Sequence, residues 1–134
     1  MIDVENDVFD EAIKYVAQRY PKVNAASEYV KSPAAFPHLS LYEADNIVLQ
    51  RTQTGENTEN HAQVMYEANI YSNRANRKKQ ECRDIAMALD DAMTRMGFTR
   101  IMFNSIPNMN DASIYRITAR YTAVVSKDKT IFRR

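Results

Sequence analysis

Apolar residues recur at helical spacing near the start of the chain and again in its second half. The first series predicts a helix over residues 4–20, with Asp3 as its N-cap. The second series follows Asn73, a suitable N-cap residue, and predicts a helix over residues 74–96. Gly97 is then expected to end this helix, because a left-handed backbone costs least in a residue without a Cβ.

Alternating apolar and polar residues, typical of half-buried strands, occupy most of the remaining chain. Residues 51–60 contain no apolar side chain, so they predict an exposed, mobile hairpin tip. A short extended piece is also expected around residues 27–30. The main predicted strands are one that starts at Leu39 and continues after a bulge to Leu49, and three more over residues 64–71, 98–106 and 113–125.

The predicted element order is α-β-β-α-β-β, which indicates an α+β fold. Strands joined by short turns favour antiparallel pairing, so we expect an antiparallel four-stranded sheet with two helices packed on one face. A chain of 134 residues is the usual size of one domain. We therefore expect a single domain over residues 1–125, followed by an extended basic C-terminal tail over residues 126–134.

Composition excludes several classes of function. The net charge of +1 provides no general attraction to nucleic acid or anionic membranes. Two glycines are too few for a dinucleotide fingerprint or a P-loop, and one cysteine excludes an internal disulfide. No stretch approaches the ~18 consecutive apolar residues of a membrane span, and the acidic N-terminus is unlike a signal peptide. We expect a protein that is soluble and cytosolic where it is made, without a cofactor.

The candidate chemical groups are few, and each has a plain structural interpretation. Cys82 lies on the apolar stripe of the second helix, which favours a buried, inert thiol. His38 and His61 are the only histidines and are expected to be exposed in loops, with no metal site. Glu43 and Asp45 are predicted on one strand face, but nothing in the sequence would separate their pKa values for acid–base work. An enzyme built on these carboxylates and His61 is therefore disfavoured.

Basic residues crowd the start of the second helix and one face of the last strand. Cations at a helix N-terminus oppose the helix dipole, so they require compensation. Three interpretations of these basic residues remain open: a solvated surface, a phosphate-contacting patch, or one half of a charged subunit interface. Glu67 and Asn69 are placed to pair with Arg116 and Arg120, either across neighbouring strands or between subunits. The basic residues are Arg74, Arg77, Lys78, Lys79, Arg83, Arg116 and Arg120.

Four segments carry a resemblance to a known family. FPHLSLYEADN at 36–46 and VMYEANIYSN at 64–73 resemble its first two core strands, MGF at 96–98 its helix end, and SIYRITARYTAVV at 113–125 its closing strand. Over residues 1–125 the chain resembles the tail terminator (tail-completion) proteins of long-tailed phages, of the lambda minor tail protein U type and its relatives in Gram-positive phages. The basic tail at 127–134 has no counterpart in that pattern.

The resemblance implies a structural protein of the virion, in the tail–neck region, and not an enzyme. It implies a homo-oligomer, expected to be a hexameric ring, that contacts the major tail-tube protein and a head-completion or connector protein. Nucleic acid would be met only incidentally, in the lumen, and no membrane is involved. A neck or head-completion adaptor and a DNA-binding accessory protein remain as alternatives. The residues expected at a subunit or neck interface are Arg51, Thr52, Glu56, Glu67, Arg116 and Arg120.

Overall fold

A computed structural model describes residues 1–49, 61–107 and 111–132 of the chain. Two helices and six strands form within these ranges. The elements are α1 (Glu5–Arg19), β1 (Asn24–Ala26), β2 (His38–Val48), β3 (His61–Ser72), α2 (Lys78–Arg95), β4 (Thr99–Ser105), β5 (Tyr115–Ser126) and β6 (Ile131–Phe132).

The sheet follows the order β1-β2-β3-β5-β4. The four predicted strands are β2, β3, β5 and β4, and all of them pair antiparallel as expected. The sheet is nevertheless mixed, because β1 adds a parallel edge strand beside residues 38–40. The prediction of a four-stranded, purely antiparallel sheet was therefore wrong in detail. A three-residue strand is too short to show an alternating pattern, and an extended piece was expected at 27–30 instead.

Both helices pack on one face of the sheet, which we call the helix face. Val8, Ala12 and Val16 of α1 are buried in the same apolar cluster as the stripe of α2. Facing them, cross-strand neighbours such as Leu39, Ile70 and Tyr66 are completely buried. Burying a large apolar side chain contributes about 1.5–3 kcal/mol, so this layer accounts for much of the fold's stability. The prediction of an α+β fold with two helices on one face is confirmed.

The second helix begins four residues later than predicted, at Lys78. Asn76 has a φ of 63°, a left-handed conformation that cannot be part of a helix. Asn73 consequently lies outside α2 and does not cap it. The predicted end is confirmed. Gly97 has a φ of 101°, and the Phe98 N–H donates to the Met93 carbonyl at 3.0 Å, as in a glycine-terminated helix.

One bulge in β2 changes which residues share a face. Glu43 pairs with Tyr66, but the next pair is Asp45 with Met65, so Ala44 is the extra residue. A bulge of one residue exchanges the two faces of the strand beyond it. Glu43 therefore lies on the helix face and Asp45 on the opposite one. The prediction that these two carboxylates share a face was wrong, because the bulge was predicted after Asp45 and lies before it, at Ala44.

The segment after β5 turns back on the sheet. Lys129, with a φ of 67°, forms the turn, and Ile131 of β6 pairs with Val125. Ser126 supports the turn, since its backbone N–H donates to the Thr130 carbonyl at 2.9 Å. Part of the predicted tail is thus paired with the sheet, and the division of the chain after residue 125 stays a prediction.

Candidate functional site

The sheet face opposite the helices, the open face, carries a connected group of polar side chains. The strand registers place Tyr42 beside Glu67, Glu67 beside Arg120, and Asn69 beside Thr118. Each of these residues comes from an alternate position of β2, β3 or β5, which is why they project to the same side. We call this group the open-face cluster; its members are Tyr42, Glu67, Asn69, Arg116, Thr118 and Arg120.

Asn69 is the centre of the cluster and is completely buried. Its Oδ1 accepts hydrogen bonds from Arg116 Nε at 3.1 Å, Arg116 Nη2 at 2.8 Å and Thr118 Oγ1 at 2.7 Å. Its Nδ2 donates to Glu67 Oε2 at 3.2 Å. A buried amide with both ends used is strongly oriented, so Asn69 holds the guanidinium of Arg116 in one position.

Glu67 joins the cluster to Tyr42 and Arg120. The Tyr42 hydroxyl donates to Glu67 Oε2, and Arg120 Nε forms an ion pair with Oε1 at 3.0 Å. Burial by itself would raise the pKa of Glu67, but the hydrogen bonds from Tyr42, Asn69 and Arg120 outweigh it and lower that pKa. Glu67 is therefore held ionised, as a structural anion and not as a proton donor. Burial and the adjacent carboxylate raise the pKa of Tyr42.

The segment that follows β1 covers the part of the open face near Tyr71 and Tyr42. The Tyr71 hydroxyl donates to the Val30 carbonyl at 3.0 Å, and the Tyr29 ring meets the Tyr42 ring edge-on at 6.5 Å. The Arg116 guanidinium lies 5.9 Å from the Tyr29 ring centroid and 5.6 Å from that of Tyr71. Such cation–π contacts stabilise a partly desolvated arginine. Arg116 is consequently committed to contacts within its own chain.

Half of the predicted interface residues, namely Glu67, Arg116 and Arg120, belong to the open-face cluster. The predicted cross-strand pairing of Glu67 and Asn69 with Arg116 and Arg120 is confirmed within the chain. Arg120 keeps 45% of its side chain exposed, against 14% for Glu67, so it is the member able to meet a neighbour. Whether any of them lies at a subunit or neck interface stays a prediction. Arg51, Thr52 and Glu56 lie outside the described residues.

The histidines do not lie in exposed loops, so that prediction was wrong. His38 begins β2, is 8% exposed, and lies between β1 and β3; its Nε2 is 3.1 Å from Ser40 Oγ. Burial lowers the pKa of His38. His61 begins β3 and is half-buried. The sequence concealed this placement because the covering strand β1 could not be recognised.

Cys82 is completely buried, as predicted. Its thiol lies 3.4 Å from the Tyr115 carbonyl and 3.6 Å from that of Ile70, both possible acceptors. Burial raises the pKa of Cys82 to about 12, so the thiolate required of a nucleophile does not form near neutral pH. Within residues 1–49, 61–107 and 111–132, no three His, Cys, Asp or Glu side chains are grouped to hold a metal ion. Neither helix of the described chain is long and apolar enough to cross a membrane.

Opposite charges collect in two patches beside the sheet, near the starts of α1 and α2, which we call the acidic end and the basic end. The basic end lies where β3 finishes: Ser72 Oγ accepts from the Arg74 N–H at 3.2 Å and donates to Glu81 at 2.6 Å. The basic end consists of Arg74, Arg77, Lys78 and Lys79. The acidic end lies beside the β2 bulge, where Glu5 Oε2 accepts from the Glu43 N–H at 2.7 Å. It consists of Asp3, Glu5, Asp7, Glu43 and Asp45.

The acidic end was missed in the sequence because its members come from two distant segments. Asp3, Glu5 and Asp7 precede or begin α1, whereas Glu43 and Asp45 belong to β2. Their grouping depends on α1 starting beside the bulge, where Asn46 Nδ2 donates to the Ile2 carbonyl at 2.8 Å. Burial, opposed in part by Asn46 and reinforced by Glu5, Asp3 and Asp45, raises the pKa of Glu43. The only sign of the acidic end in the sequence was the series of acidic residues near the N-terminus.

Comparison with solved structures reveals a likeness of fold. A chain of a structure described as the virion of a native gene transfer agent (GTA) particle has a similar fold, with a TM-score of 0.64. The two chains share 15% identity over 92% of this chain and 94% of that one. No protein-family model and no curated protein matches the sequence. At this identity the likeness establishes a shared fold over nearly the whole chain.

Replacing Asn69 should be costly, because its removal leaves the half-buried Arg116 guanidinium and the buried Thr118 hydroxyl without their acceptor. We expect Asn69→Ala to lower the free energy of unfolding by about 2–3 kcal/mol, measured by urea denaturation. Gln63→Ala is the matched control, on the same face of β3 with one 3.4 Å hydrogen bond to Thr122, and should cost about 0.5 kcal/mol or less. Equal losses in the two variants would contradict the central role of Asn69.

The lowered pKa of Glu67 predicts a pH dependence of stability. Because the folded pKa lies below the ordinary value of 4.5, the unfolded chain takes up this proton at higher pH than the folded chain does. The stabilisation from Glu67 is therefore fully present above pH 4.5 and is lost as the pH falls through the folded pKa. The difference in unfolding free energy between the wild type and Glu67→Gln should therefore shrink as the pH falls below 4.5.

Tyr42→Phe provides the control for this titration. It removes one of the hydrogen bonds that lower the Glu67 pKa, so the acid-induced loss of stability should be smaller than in the wild type and should be complete at a higher pH. Chemical denaturation between about pH 3 and pH 7 measures both differences. A wild-type advantage over Glu67→Gln that grows on acidification would refute the assignment.

Proposed function

We propose that this chain is a structural protein of a phage-like virion that caps the tail tube as a ring and joins it to the head connector. The observation that carries the proposal is the fold shared, over 92% of the chain, with a chain of a gene transfer agent virion. The resemblance of residues 1–125 to tail terminators supports the finer assignment. In this proposal the ring is a hexamer, and the protein resides in the tail–neck region after assembly in the host cytoplasm.

The geometry of the open face suits such a role. The open-face cluster uses Glu67 and Arg116 in hydrogen bonds within the chain, and these bonds make the sheet a rigid platform. Arg120, with its exposed guanidinium, remains available to a neighbouring subunit or to the neck. Ring closure requires that two different surfaces of each subunit meet around the axis, so a one-domain chain must present two complementary surfaces.

A neck or head-completion adaptor is the second candidate, because the same fold likeness supports any ring protein of the virion. The two roles differ in their partner. A terminator binds the end of the tail tube, whereas an adaptor binds the connector without it. A DNA-binding accessory role would rest on the basic end and would be recognised by strongly salt-dependent binding to duplex DNA.

The purified chain, alone or with assembled tail-tube protein, is expected to form closed rings. Light scattering should give a mass about six times the 15.5 kDa of one chain, and electron microscopy should show rings at one tip of each tube. Rings that bind connectors but ignore tubes would support the adaptor instead. A chain that stays monomeric and also fails to bind tubes would refute the assembly role altogether.

The segment that joins β2 to β3 is proposed to dock onto the tube or the neck, through residues such as Arg51, Thr52 and Glu56. Deleting residues 52–60 should leave the thermal unfolding of the domain intact and abolish head–tail joining in a complementation assay. Replacing the same residues with a Gly/Ser linker of equal length separates a lost contact from a shortened connection. Normal particle yields from either variant would remove the segment from the interface.

A further inference from the structure

The acidic end and the basic end lie beside different stretches of the same sheet, the first next to the middle of β3 and the second where β3 finishes. On β3, Tyr66 pairs with Glu43 at the acidic end, and Ser72 contacts Arg74 and Glu81 at the basic end. The six residue steps from position 66 to position 72 extend about 20 Å at the usual rise of a strand. The acidic end carries five carboxylates and the basic end four cationic side chains, so the two patches have opposite charges of similar size.

Neither end is neutralised within its own chain. The acidic end has one ion pair with a lysine or arginine among the described residues, from Lys129 to Asp7 at 3.9 Å, and both side chains are mostly exposed. Its remaining carboxylates accept backbone or amide hydrogen bonds but face no lysine or arginine ion pair in the described part of the chain. Like charges held this close repel each other, and a cationic surface placed against them would relieve that repulsion.

The basic end is unfavourable for a related reason. Arg77 is the N-cap of α2 and forms no side-chain capping hydrogen bond, and Lys78 and Lys79 begin the helix. Cations there oppose the positive end of the helix dipole. The compensation within the chain is small: Glu81 accepts from Ser72 and forms a 3.5 Å ion pair with Arg74, while Lys78 donates to the Ala112 carbonyl at 3.0 Å. An anionic surface placed against this end would be attracted both by the cationic side chains and by the positive end of the helix dipole.

We propose that the acidic end of one copy of this chain docks against the basic end of the next. The contact is heterologous, because it joins two different surfaces, and repetition of it around an axis closes a ring. The occupant of each end is therefore a second copy of this chain, chosen by complementary charge. The inference rests on the proposed ring function and specifies which surfaces form the ring.

Paired charge reversals test this contact. The basic-end variant carries Arg77→Glu, Lys78→Glu and Lys79→Glu, and the acidic-end variant carries Asp3→Lys, Asp7→Lys and Asp45→Lys, so that each end changes the sign of its net charge. All of these side chains are exposed except Lys78, which is half-buried. Each variant alone should self-associate at least about 100-fold more weakly than the wild type, because like charges then meet across the interface. An equimolar mixture should assemble again, since each reversed end now meets a complementary one. The mixed rings should contain equal numbers of the two variants, measured by native mass spectrometry.

Controls separate interface effects from folding and from total charge. Lys14→Glu and Asp91→Lys alter exposed charges on the helices outside both ends and should associate like the wild type. Thermal unfolding of the basic-end variant should be unchanged or shifted upward, because glutamates at the start of α2 favour its dipole. Wild-type association should also weaken between about 50 mM and 500 mM salt, as charges are screened.

Three results would overturn the proposal: wild-type rings from either variant alone, a mixture that stays dissociated while both variants are folded, or wild-type chains that do not associate at low salt. Failure here is distinguishable from failure of the proposed function. Rings that persist in both variants and still cap tail tubes would refute the assignment of the contact surfaces and leave the proposed function standing. Charge-complementary rings that bind neither tubes nor connectors would refute the proposed tail function and leave the contact between the two ends standing.

Discussion

The register of β3 between β2 and β5 is the constraint on which the other features depend. With this register, Tyr66 and Ile70 are completely buried against the helices, and Glu67 and Asn69 project to the open face. A slip of one residue would exchange these faces and place charged groups in the core. The apolar core and the open-face cluster therefore stabilise the same alignment, and neither could be kept without the other.

The open-face cluster resolves the ambiguity of the arginines on β5. Arg116 is held by Asn69 and by two tyrosine rings, and Arg120 is paired with Glu67. Buried hydrogen bonds to a charged group favour one arrangement over its competitors, because any alternative leaves that group unsatisfied. A chain that commits these charges internally gains a rigid sheet, and of the two arginines only Arg120 keeps a large exposed fraction.

The acidic end and the basic end contrast with the open-face cluster, because most of their charges are exposed and weakly paired. At the acidic end, Lys129 reaches Asp7 only across a long, solvent-exposed ion pair. Exposed pairs of this kind contribute about 0–1 kcal/mol, so they add little to folding. The same charges can contribute much more to recognition, because association removes them from water and rewards complementary partners. In the proposed ring, stability and assembly would thus use separate sets of charged residues.

The sequence alone determined the helices, the four long strands and the burial of Cys82, because hydrophobic periodicity records which side of an element faces the core. It also indicated that Glu67 and Asn69 could meet Arg116 and Arg120. Only the tertiary structure decided that these contacts lie within the chain, that β1 buries His38, and that the bulge separates Glu43 from Asp45. Local patterns record the environment of a residue, whereas pairing register, short edge strands and the grouping of distant acids are set by contacts far apart in the chain.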